Sequence, residues 1–318
     1  MYVWGTGLLN WCYYLAIVMV KKPLSEKHKG EWIISLEVFL WAFFPIVTVL
    51  SYVAVPSLIA LGWSTVFACA FFFVIVAVKK RWKELVNLSL WKYIVGITLF
   101  NGVSFYVLYF TALKYTTPGN AAIISLLEIL TSFLFFNVIL KEKISKEYIV
   151  GACLMIVGAI IVLAPNFAGI NIVDFLILAT TLIAPVGNMF QQRARKIASA
   201  ESIVFLRNLL AAPIVFIIAF MFGQQATFGD VQASLVFLLI NGVILLGLSK
   251  LLWVEGIHRM SVTKAMALQG AGPLITLIAA WALLSQAPTV WQLTSLVPLL
   301  LGVLFLTDQL KLKGSKAS

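Results

Sequence analysis

Several charged side chains stand where charge is costly. Glu37, Glu128 and Lys250 fall within long apolar runs of the 318-residue chain, and Glu255 stands at the end of one. At the centre of a hydrocarbon layer, an Asp, Lys or Arg costs roughly 2.5 to 3.5 kcal/mol, so such groups face a cavity or a partner. Glu128, near the middle of its run, can hold a proton or the ammonium of a solute. The plainer alternative is an internal hydrogen bond that fixes packing. Glu37 lies nearer the start of its run, where it can serve the same chemistry or reach the headgroups. Lys250 can attract a carboxylate, pair with Glu128 or Glu37, or snorkel to the surface. Glu255 and Arg259 are spaced i,i+4, which suits a pair at a helix end. Arg207 and Lys264 lie near the starts of their runs, where surface anchoring is the expected role.

Uncharged polar residues add a second layer. Asn101, Asn188, Asn241 and Gln269 interrupt apolar runs. Such groups commonly hydrogen-bond between helices at ~0.6 kcal/mol each. Gln269 differs because Pro273 follows four residues later. A proline cannot donate to that carbonyl and clashes with it, which predicts a kink. Gly270 and Gly272 add room, and an irregular turn at membrane depth is tolerated best beside protein or a wet cavity. Gln269 to Pro273 therefore reads as a helix break that lines a cavity. Trp41, Tyr106 and Tyr109 also fall well inside runs, and Trp253 ends one. They can wall a cavity for an apolar or cationic solute, or simply pack against neighbours. Trp32, Trp82, Trp91 and Trp291 read instead as an interfacial belt.

The elements that position these residues are helices in a bilayer. The chain is 62% hydrophobic and 11% charged, with a mean hydropathy of +1.03. Soluble domains carry about a quarter charged residues, so a water-soluble fold and a disordered chain are both excluded. Ten apolar runs stand out: 33–53, 57–78, 91–113, 119–140, 148–165, 173–190, 202–222, 231–253, 262–285 and 290–307. They are apolar all round, unlike the alternating strands of a membrane barrel. Turn residues such as Thr117-Pro118-Gly119-Asn120 and Gln286-Ala287-Pro288 punctuate them.

The net charge of +11 does not form a nucleic-acid face, because the basic residues sit in short tracts between apolar blocks. Apart from Lys114, and from Arg207, Lys250 and Lys264 within runs, they precede the first run, flank alternate connections or lie in the tail. Positive charge collects on the cytoplasmic side, so the ten-run unit is expected to start and end inside, in a cell membrane. Tyr2 to Val20 is a further apolar stretch, followed by Lys21-Lys22. It is long enough to form an eleventh span, which would put the N-terminus outside; lying in the interface is the alternative. Cys12, Cys69 and Cys153 are far apart within apolar blocks, with no disulfide or metal spacing. Phosphate-loop, zinc-helix and nucleophile-elbow motifs are lacking, so neither an enzyme nor a cofactor is expected.

The chain also repeats itself. A shift of 144 residues lays Gly158 on Gly302, Tyr106 on Lys250 and Tyr109 on Trp253. The same shift lays the turn Glu142 to Ser145 on Gln286 to Thr289, and a shift of 143 lays Glu31-Trp32 on Asp174-Phe175. Two five-span halves follow, and because five is odd the second crosses the membrane in the opposite sense. Inverted repeats of this kind suit two halves rocking around a midplane site. The expected organisation is an all-α polytopic membrane protein with a ten-helix core. Residues 1–30 form the N-terminal apolar segment and basic linker, 31–165 and 166–307 the two repeats, and 308–318 a basic tail.

Some segments carry a resemblance. Ala112 through Ala122, Ser125-Leu126-Leu127-Glu128, Leu140 through Ser145, and Gly151 to Gly158 resemble the third to fifth spans of EamA-type carriers in the drug/metabolite transporter superfamily. Leu251-Leu252-Trp253 through Gly272-Pro273, and on to Gly302, resemble the matching second-half segment. The resemblance covers about residues 31–307. It implies a ten-helix secondary carrier that moves small metabolites, often outward, through a cavity lined by spans one, three, four, six, eight and nine. The chain departs from that pattern at Ile129, where the family often has proline, and at Gly272, where it has an acid. Ser64 stands near the place of a second-span arginine, and Arg207 fits in the seventh. The expected solute is amino-acid-like or a small amphipathic cation, moved with a proton or a counter-solute. Exchange or import of a nucleotide sugar or phosphorylated metabolite is the alternative. A non-transporting membrane enzyme or assembly factor is a different class.

Overall fold

The structure is a computed structural model that describes residues 26–140, 146–163, 172–260, 265, 268–306 and 310. The Tyr2–Val20 stretch and Lys264 lie outside the described residues. Ten helical segments follow the ten apolar runs: α1 (His28–Val53), α2 (Ser57–Val78), α3 (Leu88–Leu113), α4 (Pro118–Phe136), α5 (Ile149–Val162), α6 (Val173–Ala194), α7 (Ala200–Met221), α8 (Phe228–Arg259), α9 (Gly272–Leu284) and α10 (Val290–Phe305). Seven are long and apolar enough to cross a membrane, and α5, α9 and α10 are shorter apolar helices. No strand occurs among the described residues. The fold is thus all-α and polytopic.

Helix starts carry the expected chemistry. Thr117 caps α4 by accepting from the Asn120 amide at 3.2 Å, and Pro118 occupies the first turn, where its missing N–H costs nothing. Thr227 and Asp230 form a reciprocal capping box on α8. Inside the bilayer the helices are less regular. The first helix breaks at Ala42-Phe43 and resumes at Phe44, with Pro45 in the new first turn. Near Pro273 the expected kink is a full interruption. Gly270 and Ala271 form a turn, and α9 starts afresh at Gly272. The break leaves Pro273 in a first turn, where a helix tolerates it best.

The inverted repeat has a structural counterpart. A π-helical stretch runs over Thr98–Ser104 in α3 and another over Ile240–Ser249 in α8. The shift of 144 residues superposes the two. Such widened turns are rare and gather at functional sites. Repeat mates also pack on each other: α2 against α7, and α5 against α10. Between α5 and α10, Gly158 and Gly302 allow close approach. A Cβ at Gly302 would meet Met155 Cγ at 2.6 Å and the Gly151 carbonyl at 2.8 Å. Small residues serve this purpose in membrane helices, where packing rather than the hydrophobic effect holds neighbours together.

Outward faces are apolar, with Phe73, Ile217, Phe220, Ile278 and Val297 exposed. Cys153 is also exposed, and Cys69 is half-buried. Polar and charged groups are turned inward: Glu37, Asn188, Gln191, Arg207, Asn208 and Lys250 are all buried. This inside-out distribution is the arrangement a lipid solvent demands.

Candidate functional site

Two cavities meet near the centre of the bundle. The first, of about 590 Å³, is lined by α1 (Val38, Pro45), α3 (Tyr109), α4 (Ser125) and α9 (Thr276). The second, of about 410 Å³, is lined by α3 (Asn101, Tyr106), α6 (Asn188, Gln191), α7 (Arg207) and α8 (Lys250, Trp253). Trp41, Phe105, Glu128 and Gln269 border both. Gln191 lies one turn from the end of α6 and Arg207 two turns from the start of α7. The second chamber therefore reaches toward the face that carries Lys79, Arg81, Arg195 and Arg259. The first reaches toward the opposite face.

Three residues from three helices are tied to Asn188. Asn101 Nδ2 donates to Asn188 Oδ1 at 3.0 Å, and Trp253 Nε1 donates to the same oxygen at 3.2 Å. Asn188 Nδ2 in turn donates to Glu128 Oε1 at 3.1 Å. The chain of bonds links α3, α8, α6 and α4. Its geometry depends on Gly187, because a Cβ there would collide with the Asn101 side chain. Asn188 acts as the interhelical glue its sequence setting predicts, but what it glues is the carboxylate at the centre.

A second cluster surrounds Glu37. Lys250 Nζ lies 3.3 Å from Glu37 Oε1 and 3.1 Å from the centroid of the Trp41 ring. Gln269 Nε2 donates to Glu37 Oε2 at 3.0 Å, and Ser249 Oγ donates to Oε1 at 3.2 Å. Glu37 has no exposed surface. It neither reaches headgroups nor lines a chamber; it holds Lys250 and Gln269, which do. The proline-linked break explains how Gln269 serves. The turn at Gly270-Ala271 frees that segment from helical spacing, so its amide can face Glu37 and both chambers.

Other expected residues fall as follows. Trp41, Tyr106, Tyr109 and Trp253 are cavity walls, and Phe44 packs behind Trp41 with ring centroids 4.0 Å apart. Tyr109 faces the first chamber and its repeat mate Trp253 the second, as an inverted pair should. Asn241 lies apart, donating to Thr48 Oγ1 at 3.1 Å as glue between α8 and α1. Glu255 pairs with Arg259, as its spacing indicates, and also with Arg195, in the turn after α6, at 2.7 Å.

Arg207 requires a correction. Its place near a helix start predicts an anchor at the membrane surface, yet it is only 2% exposed and borders the second chamber. The helices around α7 close over this guanidinium, which turns inward to the chamber instead of out to the membrane surface. Gln191 is a site residue that the sequence reading does not single out. It stands one turn beyond Asn188 on the same face of α6, which is a legible i,i+3 relation once Asn188 is placed. Phe105, shared by both chambers, has no distinguishing signal among so many aromatics.

The face with the basic connections is rich in ion pairs. Besides the Arg195–Glu255–Arg259 group, Lys79 lies 3.0 Å from Glu201, and Arg81 lies 3.2 Å from Glu84. Ser199 donates to Glu84 Oε2 through both its amide, at 2.7 Å, and its hydroxyl, at 2.6 Å. Burial pushes the Glu84 carboxyl up, but hydrogen bonds from Ser199 and Ser202 and the Arg81 charge outweigh it and leave it below its ordinary value.

An all-α membrane bundle with two inverted halves, broken helices and charged groups between two central chambers belongs to the class of solute carriers. A family model places it further. The EamA-like transporter family matches twice, over residues 28–164 and 171–308, and the chain belongs to that family. It is similar to the "Uncharacterized transporter YyaM" of Bacillus subtilis (strain 168), at 22% identity over 221 residues, covering 66% of this chain and 70% of that protein. It also resembles a chain of known crystal structure with a TM-score of 0.70 and 18% identity, covering 89% of this chain and 98% of that one. That last likeness concerns the fold alone. The protein is a multi-pass membrane transporter, and its relatives point to transport rather than catalysis.

Proposed function

We propose that the protein is a secondary carrier that exports a small amino-acid-like or amphipathic cationic solute by alternating access. The observation that carries this reading is the position of Glu128. It borders both chambers, so a solute or proton bound there can be approached from either face as the halves rock. Glu128 binds the ammonium or the coupling proton, Gln269 adds a hydrogen bond, and Tyr109 and Trp253 form walls. A proton or counter-solute gradient drives the cycle. The face with Arg195 and Arg259 is the cytoplasmic one in a cell membrane, following the positive-inside distribution.

The test is counterflow in liposomes loaded with an amino-acid and metabolite pool. Labelled solute should exchange across the membrane without ATP. A cysteine placed at Gln269, in a chain otherwise free of cysteine, should react with impermeant reagents from one side at a time. Reaction from both sides at once contradicts a carrier and indicates a channel. A second reading, exchange of a phosphorylated metabolite, draws support from Lys250 and Arg207 beside the second chamber. Lys250 is already matched by Glu37, which weakens it. Including sugar phosphates in the loaded pool separates the two.

In an alternating-access cycle the Glu255 pairs act as a latch that holds the turn after α6 to α8 at one gate. Glu255→Gln is expected to raise the labelling rate of a cysteine at Gln191, from the basic face, by about five-fold. The basis is an interaction of on the order of 1 kcal/mol for partly exposed pairs. An unchanged rate would remove Glu255 from the gate.

A further inference from the structure

We infer that Arg207 is the anchor for a carboxylate on the transported solute, so that the second chamber selects zwitterions over simple amines. This rests on the carrier reading above and names the substrate class of the same site. The argument starts from charge balance. The Arg207 guanidinium donates to Asn208 Oδ1 from Nε at 3.2 Å and from Nη2 at 3.0 Å, and Nη2 lies 3.4 Å from the Leu246 carbonyl. It lies over the Tyr106 ring at 5.9 Å. Each of these partners is neutral. Arginine stays protonated in proteins, so the charge is permanent.

Among the described residues, the nearby carboxylates are committed elsewhere. Glu37 is paired with Lys250, Glu255 with Arg195 and Arg259, and Glu201 with Lys79. Glu128 accepts from the neutral Asn188 amide. Apart from Lys250, which Glu37 already pairs, one cation and one carboxylate thus border the second chamber, each hydrogen-bonded to neutral groups. A buried charge without a counter-charge is a standing penalty unless something offsets it.

A second observation points to a ligand with donors. Asn101 Oδ1 and Gln191 Oε1 are buried and have no hydrogen-bond partner among the described residues. Both side chains line the same chamber. Buried acceptors in native proteins are normally satisfied, so those left open at a cavity wall indicate a group that brings N–H. An ammonium supplies it. An amino acid offers both ends: its carboxylate to Arg207, and its ammonium to Glu128 and these acceptors. A simple amine leaves Arg207 unmatched. A phosphate matches Arg207 but confronts Glu128 and two open acceptors.

The experiment compares two labelled mixtures in proteoliposome counterflow: the neutral L-amino acids, and their carboxamides, which keep the ammonium and lose the carboxylate. Wild-type protein is expected to carry the acids at least about tenfold faster, the scale of one charge-assisted contact. Arg207→Gln should lower acid flux by about tenfold or more and erase the preference, whereas Arg207→Lys, which keeps a cation, should retain part of it. Should Arg207→Gln fail to fold, the wild-type preference and Arg207→Lys decide. Equal wild-type flux of acids and carboxamides, or a preference that survives in folded Arg207→Gln, overturns the anchor and leaves the carrier reading standing. Flux of neither mixture by folded wild-type protein overturns both the anchor and the amino-acid reading.

Discussion

Glu128→Gln is expected to lower counterflow by about 10- to 100-fold while the protein still folds. The substitution is close to isosteric. A glutamine carbonyl can still accept from Asn188 Nδ2, so the links through Asn188 to Asn101 and Trp253 survive. What disappears is the charge at the wall between the two chambers. A hydrogen bond to a charged group contributes roughly 1.5–3 kcal/mol, and each ~1.4 kcal/mol is a factor of ten. Flux and melting temperature should be measured on the same preparation. Lost flux with an unchanged melting temperature assigns Glu128 to the transport step. Full flux in the variant would leave the carrier reading intact and make Glu128 a packing acid. Gly187→Ala is a useful companion, because it attacks the same carboxylate indirectly. The added Cβ displaces Asn101, so Glu128 keeps its charge while its support is disturbed.

Much of this arrangement is legible in the sequence, for a physical reason. In a bilayer the background is apolar, so each polar residue within a span stands out and must be explained. Glu37, Glu128, Lys250, Asn188 and Gln269 all stand out that way, and the structure brings them into two adjoining clusters. The spans themselves are legible because the hydrocarbon thickness fixes their length. Pairings are not legible. Whether Lys250 meets Glu37 or Glu128 depends on which helices adjoin and on helix rotation, and no periodicity encodes either. The break at Gly270-Ala271 shows the same limit. Pro273 announces an irregularity, but its form depends on what receives Gln269, and Glu37 lies 232 residues away. Arg207 defeats the sequence reading because depth along a span does not measure access to water. A long side chain reaches the surface only if neighbouring helices leave it a path, and around α7 they do not.

The Glu37–Lys250 pair should dominate stability rather than flux. Glu37→Gln leaves a buried ammonium against Trp41 without its paired carboxylate, and Lys250→Met leaves a buried carboxylate held by Ser249 and Gln269. Removing one partner of a buried pair costs about 3–5 kcal/mol, whereas replacing both with neutral groups is often close to harmless. Each single variant is therefore expected to melt well below wild type in detergent. The double variant Glu37→Gln, Lys250→Met should recover most of the loss. That recovery is the informative quantity, because residues in contact are coupled and their separate effects do not add. Single losses that simply add in the double variant would mean the pair contributes no mutual stabilisation. Recovered stability with intact flux would confine Glu37 and Lys250 to the frame around the chambers. Recovered stability without flux would add Lys250, which borders the second chamber, to the groups that act on the solute.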